Sequence, residues 1–198
     1  ARGVTWFATA FDEAAVDRLM ALEVLMLKVH SGGLTDGPLL DYVAKQGVPV
    51  LLSTGGGTIE DIDRAQTRLQ HVPHALLHCT ASYPLAPTEA NIRVITTLRT
   101  RYPDTVIGFS SHAPGLLPSL HAVALAARIL EHHVTRSRAG TGTDHGFSLE
   151  AKGLQTLVED VGLVPVLLGD GQKRVYPSEA APIAKMRRIQ TADGWRIP

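Results

Sequence analysis

The sequence predicts an α/β protein built as a barrel of parallel strands, the TIM (β/α)8 type, here with about six βα units. Three observations carry that prediction: six short apolar runs rich in β-formers, stretches of helical spacing between them, and polar residues gathered where each run ends. Strands that alternate with helices pair in parallel, because each crossover helix returns the chain to the same end of the sheet. Near-continuous apolar strands agree, since parallel strands are covered on both faces.

The strand candidates are 4–9, 24–30, 48–53, 74–79, 105–110 and 129–134. Helical spacing fills 12–23, where Ala14, Val16, Leu19 and Met20 recur at i, i+3 and i+4, and 37–46, through Leu39, Leu40, Val43 and Ala44. Similar patterns occupy 58–70, 88–101, 116–128 and 150–168. Thr58 with Asp61, and Thr88 followed by Glu89, read as helix starts. Gly47-Val48-Pro49 reads as a helix exit into a strand. Residues 1–168 form the predicted barrel domain, and 169–198 lose the rhythm, gain Gly, Pro and charge, and read as a linker or tail. The Lys185-Met186-Arg187-Arg188 cluster there reads as a solvated face rather than a nucleic-acid signal.

Composition narrows the function classes. The chain has 198 residues, 44% hydrophobic and 19% charged, enough for one soluble domain with a real core. Nineteen Lys and Arg balance nineteen Asp and Glu, which argues against nucleic acid or an anionic membrane as partner and leaves small ligands open. Cys79 is the only cysteine, which excludes an internal disulfide and a cysteine-rich zinc module, and fits a reducing compartment such as the cytoplasm. No apolar run approaches the roughly 20 residues that span a bilayer. The chain starts Ala1-Arg2-Gly3-Val4, which is not a signal peptide, and the absence of an initial Met fits a processed chain or a piece of a longer one.

The polar residues at the strand ends are the chemical signal. Thr9 ends the first strand, Lys28, His30 and Ser31-Gly32-Gly33 the second, and Ser53-Thr54-Gly55-Gly56-Gly57 the third. His78 through Tyr83, Ser110-Ser111-His112 and Glu131-His132-His133 end the others. In an α/β barrel these ends surround one mouth, whereas a doubly wound sheet collects ligand groups mainly at its switch point. Lys28 sits in an apolar run, so its ammonium group needs either an anionic ligand or a neighbouring Asp or Glu. The glycine clusters suit backbone approach to an oxyanion, and tight βα turns explain them almost as well. His112 and His133 end consecutive strands, so they are either a pair of divalent-metal ligands or hydrogen-bonded core histidines. His132 faces the opposite side of its strand from His133, and Cys79 suits packing more than attack.

These residues resemble the bacterial sialic acid synthase family, which includes legionaminic and pseudaminic acid synthases and spore-coat polysaccharide relatives. The resemblance runs collinearly over about 4–188, through Thr9-Ala10-Phe11, Lys28-Val29-His30-Ser31-Gly32, Leu52-Ser53-Thr54-Gly55, Leu77-His78-Cys79-Thr80 with Tyr83-Pro84, and Gly108-Phe109-Ser110-Ser111-His112. It continues through Ile129 to Thr135, Gly142-Thr143-Asp144-His145 with Ser148-Leu149, and Pro177-Ser178-Glu179. It implies a (β/α)8 barrel that condenses phosphoenolpyruvate with an N-acylated amino sugar such as N-acetylmannosamine, giving a nine-carbon 2-keto sugar acid and phosphate. It further implies a divalent ion, Mn or Mg, on His112 and His133. Thr9, Lys28, Ser31 and Ser110 match positions that hold the phosphate and carboxylate of phosphoenolpyruvate, Tyr83 a residue beside the sugar, and Asp144 the acidic residue of the family's Gly-Pro-Asp-His loop.

The chain also departs from that pattern. Gly33 stands where relatives carry Glu or Asp, a candidate proton-transfer group, and a glycine cannot move a proton. Ser111 replaces the usual Asp, Ala81 an Asn or Ser, and Thr143 a proline. The six strands correspond to the family's third to eighth, so two strands with a metal-site glutamate and a phosphate-binding lysine, and a C-terminal antifreeze-like domain, lie outside this sequence. The alternative reading is therefore a non-catalytic remnant or accessory barrel subunit that binds metal or a sugar phosphate; an unrelated metal-dependent aldolase barrel explains the histidines but not the order of the other matches. An open six-stranded sheet exposes edges, so a homodimer or larger assembly is expected.

Overall fold

The computed structural model describes residues 3–197. Six parallel strands are joined in sequence order: β1 (Thr9–Ala10), β2 (Leu27–Val29), β3 (Val50–Ser53), β4 (His74–His78), β5 (Val106–Ser111) and β6 (Leu130–His132). Between them run α1 (Glu13–Ala21), α2 (Gly37–Lys45), α3 (Ile59–Leu69), α4 (Val94–Arg101) and α5 (Leu117–Ala124), and α6 (Ala151–Leu168) follows β6. This is the predicted βα order.

Helix starts follow local chemistry. Asp12 caps α1 by accepting from the Ala15 amide at 2.7 Å, and Asp36 caps α2 by accepting from Leu39 at 3.1 Å. Thr58 and Asp61 form a reciprocal capping box on α3. Gly47, after α2, has φ of 71°, the left-handed conformation that lets the chain turn into β3.

Two expectations need correction. Thr88 and Glu89 lie in a 3₁₀ turn, Pro87–Glu89, and α4 starts only at Val94 without a side-chain cap, because Asn91 at φ 35° interrupts any continuous helix from 88. The first strand shrinks from 4–9 to Thr9–Ala10, since its single neighbour β2 offers three residues; Val4 and Trp6 are exposed. The stretch 169–198, read from sequence as a linker or tail, holds α7 (Ala180–Met186) and an antiparallel hairpin of β7 (Ile189–Thr191) and β8 (Gly194–Arg196). The chain divides into two compact units between Pro165 and Val166.

Strand alternation sorts the first unit into two faces. Leu27, Val29, Val50, Leu52, Leu76, Ile107 and Phe109 point outward and pack with Val16, Leu40, Val43, Ile62, Leu69, Ile95 and Leu98 of the helices in the main core. On the inner face Leu51, Ala75 and Leu77, with Ile129 against them, make a small apolar floor. The polar residues lie further along the same strands. Lys28 on β2 reaches Glu131 on β6 at 3.4 Å. In a flat sheet four strand spacings would separate those strands by roughly 19 Å, so the sheet curls around its inner face as a barrel wall does.

Candidate active site

The inward register sets the site. Residues two apart share a face, so Lys28 with His30, Ser110 with His112, and Glu131 with His133 all project above the apolar floor. They border one open cavity of about 320 Å³ together with Thr9, Ser31, Ser53, Cys79 and Tyr83. Of the residues singled out from sequence, only Asp144 joins from outside that lining, through His133.

Lys28 is largely covered, with 12% of its side chain exposed. Its Nζ donates to Ser53 Oγ at 3.0 Å and pairs with Glu131 Oε2 at 3.4 Å. Of the two partners the sequence allowed, the structure supplies the neighbouring acid. Ser110 Oγ donates to Glu131 Oε1 at 2.9 Å, so one carboxylate ties β2, β5 and β6 together. Ser31 Oγ accepts from the Gly55 amide at 3.0 Å and lies 3.3 Å from Cys79 Sγ. The cluster presents an ammonium group and several hydroxyls, donors suited to a multiply charged anion, with the Glu131 carboxylate occupying the ammonium group in this structure.

The histidines have distinct partners. His112 Nδ1 lies 2.8 Å from the Thr80 carbonyl, which can only accept, so Nδ1 carries the proton and Nε2 keeps its lone pair. Burial pushes the His112 pKa below its ordinary value, which favours that neutral form. The His133 ring lies 5.4 Å from it, centroid to centroid, and Asp144 Oδ2 is 3.5 Å from His133 Nδ1. Tyr83 packs on His112 at 4.1 Å, with Phe147 beside both histidines, and burial raises the Tyr83 pKa so that the phenol keeps its proton. His132 also borders the cavity, but its ring nitrogen Nε2 bonds Ser119 Oγ on α5 at 2.7 Å, on the helix side that alternation assigns to it.

A neutral imidazole with its outer nitrogen free is the form that ligates a metal, with Thr80 as the orienting carbonyl. His112 is in that form, and together with His133, 5.4 Å away ring to ring, it could hold a divalent ion. Among the described residues no group of three or more His, Cys, Asp or Glu converges on one ion position. Gly33 is buried, and a Cβ added there would stand 2.5 Å from Val29 Cγ1. The space for an acidic side chain at 33 is closed by packing.

Sequence reasoning did not single out Ser53 and Glu131 as a site pair. The signal was present, since Glu131 is two residues before His133. Which strands the curl would bring face to face was not written in any local pattern.

The NeuB family model matches residues 1–173. The chain belongs to the NeuB family. It is 38% identical over 192 residues to the N-acetylneuraminate-9-phosphate synthase of Mus musculus, covering 96% of this chain and 54% of that protein. It is 30% identical to the N,N'-diacetyllegionaminic acid synthase of Legionella pneumophila, covering 96% and 55%. The crystal structure of the sialic acid synthetase of Leptospira borgpetersenii in complex with citrate superposes with a TM-score of 0.83 at 35% identity, covering 91% of this chain and 64% of that one. A DAHP synthase from Thermotoga maritima, 17% identical with a TM-score of 0.69, shares the fold. This NeuB-family chain spans about half the length of the curated relatives it matches. Among its described residues no helix is long and apolar enough to cross a membrane.

Proposed function

We propose that this chain forms the larger part of a synthase barrel that condenses phosphoenolpyruvate with an N-acylated amino sugar, N-acetylmannosamine or a relative, to a nine-carbon 2-keto sugar acid, in the cytoplasm. The observation that carries the reading is the juxtaposition on one inner face of Lys28, Ser53 and Ser110 with the His112–His133 pair. The names of the family relatives support the reaction class.

Lys28 with Thr9, Ser31, Ser53 and Ser110 would hold the phosphate and carboxylate of phosphoenolpyruvate, the ligand anion displacing Glu131 from the ammonium group. His112 and His133 would hold Mn or Mg. When bound, that ion supplies Lewis-acid polarisation of the sugar aldehyde. Tyr83, wedged against His112, would close one side of the sugar position, and Asp144 would orient His133. In the reaction C3 of phosphoenolpyruvate bonds to the aldehyde carbon and the aldehyde oxygen takes a proton. Water then adds at C2, the C2–O bond to phosphate breaks, and phosphate leaves. Lys28 and the serines offset the charge on the departing phosphate.

The second reading, an accessory or non-catalytic barrel that binds metal or a sugar phosphate, is favoured by the closed packing at Gly33. One assay separates the two. The chain is incubated with phosphoenolpyruvate, Mn and a panel of 2-acylamino sugars, and phosphate release is followed. Sugar-dependent release lost in His112→Ala supports the synthase; release no greater than that control, with Mn still bound, supports the accessory role.

A further inference from the structure

His30 is the imidazole in the cavity that the proposed reaction leaves without a task. His112 is tied to Thr80, His133 lies beside Asp144, and His132 is turned to Ser119. His30 shares the inner face with Lys28, two residues away, and borders the same cavity. Its orientation is fixed twice. The Gly32 amide donates to His30 Nδ1 at 3.1 Å, and the ring stacks on Phe11 at 4.3 Å with 28° between planes. An amide N–H can only donate, so Nδ1 holds a lone pair and the ring proton sits on Nε2. Among the described residues Nε2 has no protein partner, and it is not buried.

The glycines beside it make this placement possible. A Cβ on Gly32 would stand 2.7 Å from His30 Cε1, so any other residue there would push the imidazole off its seat. Phe11 is 67% exposed, an aromatic surface at the end of β1 that water covers. Lys28 and the serines already match an anion. A neutral N–H donor mounted on an aromatic face matches a polyol instead, whose C–H surfaces pack on rings and whose oxygens accept hydrogen bonds.

We propose that His30, seated on Phe11, is a sugar-binding residue of this site: a neutral imidazole whose Nε2–H donates to an oxygen of the acylamino sugar. The inference rests on the synthase reading for the identity of the ligand, and on the Gly32 bond and the Phe11 stack for the donor. It makes the residue between Lys28 and Ser31 a determinant of sugar affinity rather than of phosphoenolpyruvate affinity.

The test uses the whole chain and two readouts. In the kinetic one, His30→Ala raises the KM for N-acetylmannosamine about five- to tenfold, the size of one lost hydrogen bond, with the KM for phosphoenolpyruvate unchanged. Gly32→Ala, which leaves the imidazole in the chain but displaces it, raises the sugar KM in the same direction, and His30→Gln, which retains an N–H donor, recovers part of the loss. A shift in the phosphoenolpyruvate KM alone, or in neither, overturns the proposal. In the second readout, long-range ¹H–¹⁵N spectra of the labelled protein show His30 protonated at Nε2, and that signal moves on addition of N-acetylmannosamine alone but not of inorganic phosphate. A signal that moves without any turnover keeps His30 as a sugar ligand and removes the synthase reading. Turnover with an unmoved signal and unchanged sugar KM removes His30 and keeps the synthase; neither turnover nor movement removes both.

Discussion

Lys28 shows how one side chain links burial to function. An ammonium group with 12% exposure needs compensation, and Glu131 and Ser53 supply it at 3.4 and 3.0 Å. Replacing Lys28 with Met leaves Glu131 without its cation and removes the charge proposed to meet phosphate. The expected outcome is a rise of more than tenfold in the KM or Kd for phosphoenolpyruvate with an unchanged circular-dichroism spectrum, read by calorimetry or steady-state kinetics. His78 carries a different prediction. It is buried on the helix side of β4, its Nε2 bonds the Ala90 carbonyl at 3.0 Å, and burial lowers its pKa from the ordinary 6.5. Its folded pKa lies below its unfolded one, so the unfolded chain binds the proton more readily, and the contribution is full above about pH 6.5 and is lost as pH falls toward the folded pKa. Thermal unfolding across pH should show Tm falling below about pH 6.5, with a shallower fall in His78→Gln, whose amide can still donate to Ala90.

At the scale of elements, the strands and helices were legible because their signals are local. The alternation that faces Leu76 outward and Leu77 inward is written in β4 itself, and the Thr58–Asp61 box is a four-residue pattern. What was not legible depends on neighbours. The first strand is short because β2 is short, and α4 starts late because the segment after Pro87 turns at Asn91. The small helix and hairpin after residue 169 lacked the apolar rhythm on which the sequence reading relied. Two substitutions check the element account. Gly47→Ala places a Cβ at φ 71°, which costs about 1 kcal/mol of stability in denaturant unfolding. Leu76→Ala, at a fully buried position in the main core, costs about 2–5 kcal/mol.

At the scale of the whole molecule, the site's composition and its barrel setting were legible, while the pairing of side chains across the curl was not. Thr9, Lys28, Ser31, Tyr83, Ser110, His112 and His133 were named from strand ends, and the curl of the sheet brings them to one cavity. That curl also explains why the strand-end Glu131 could not be paired with Lys28 from sequence: the two meet only because β6 approaches β2 around the inner face. Among the described residues β1 pairs only with β2, beside exposed Phe11, while the chain just after β6 meets a single parallel bridge on its far side, Val134 with Leu149. A chain of these 198 residues should therefore associate, and light scattering at micromolar concentration should report a dimer or larger. The reaction proposed for this inner face joins phosphoenolpyruvate to a sugar through carbon. The most direct measurement follows [3-¹³C]phosphoenolpyruvate by ¹³C NMR with Mn and N-acetylmannosamine. A new labelled CH₂ signal of a 2-keto sugar acid, growing in step with phosphate and absent in His112→Ala, is the predicted result; labelled pyruvate with phosphate, or unchanged phosphoenolpyruvate, would contradict it.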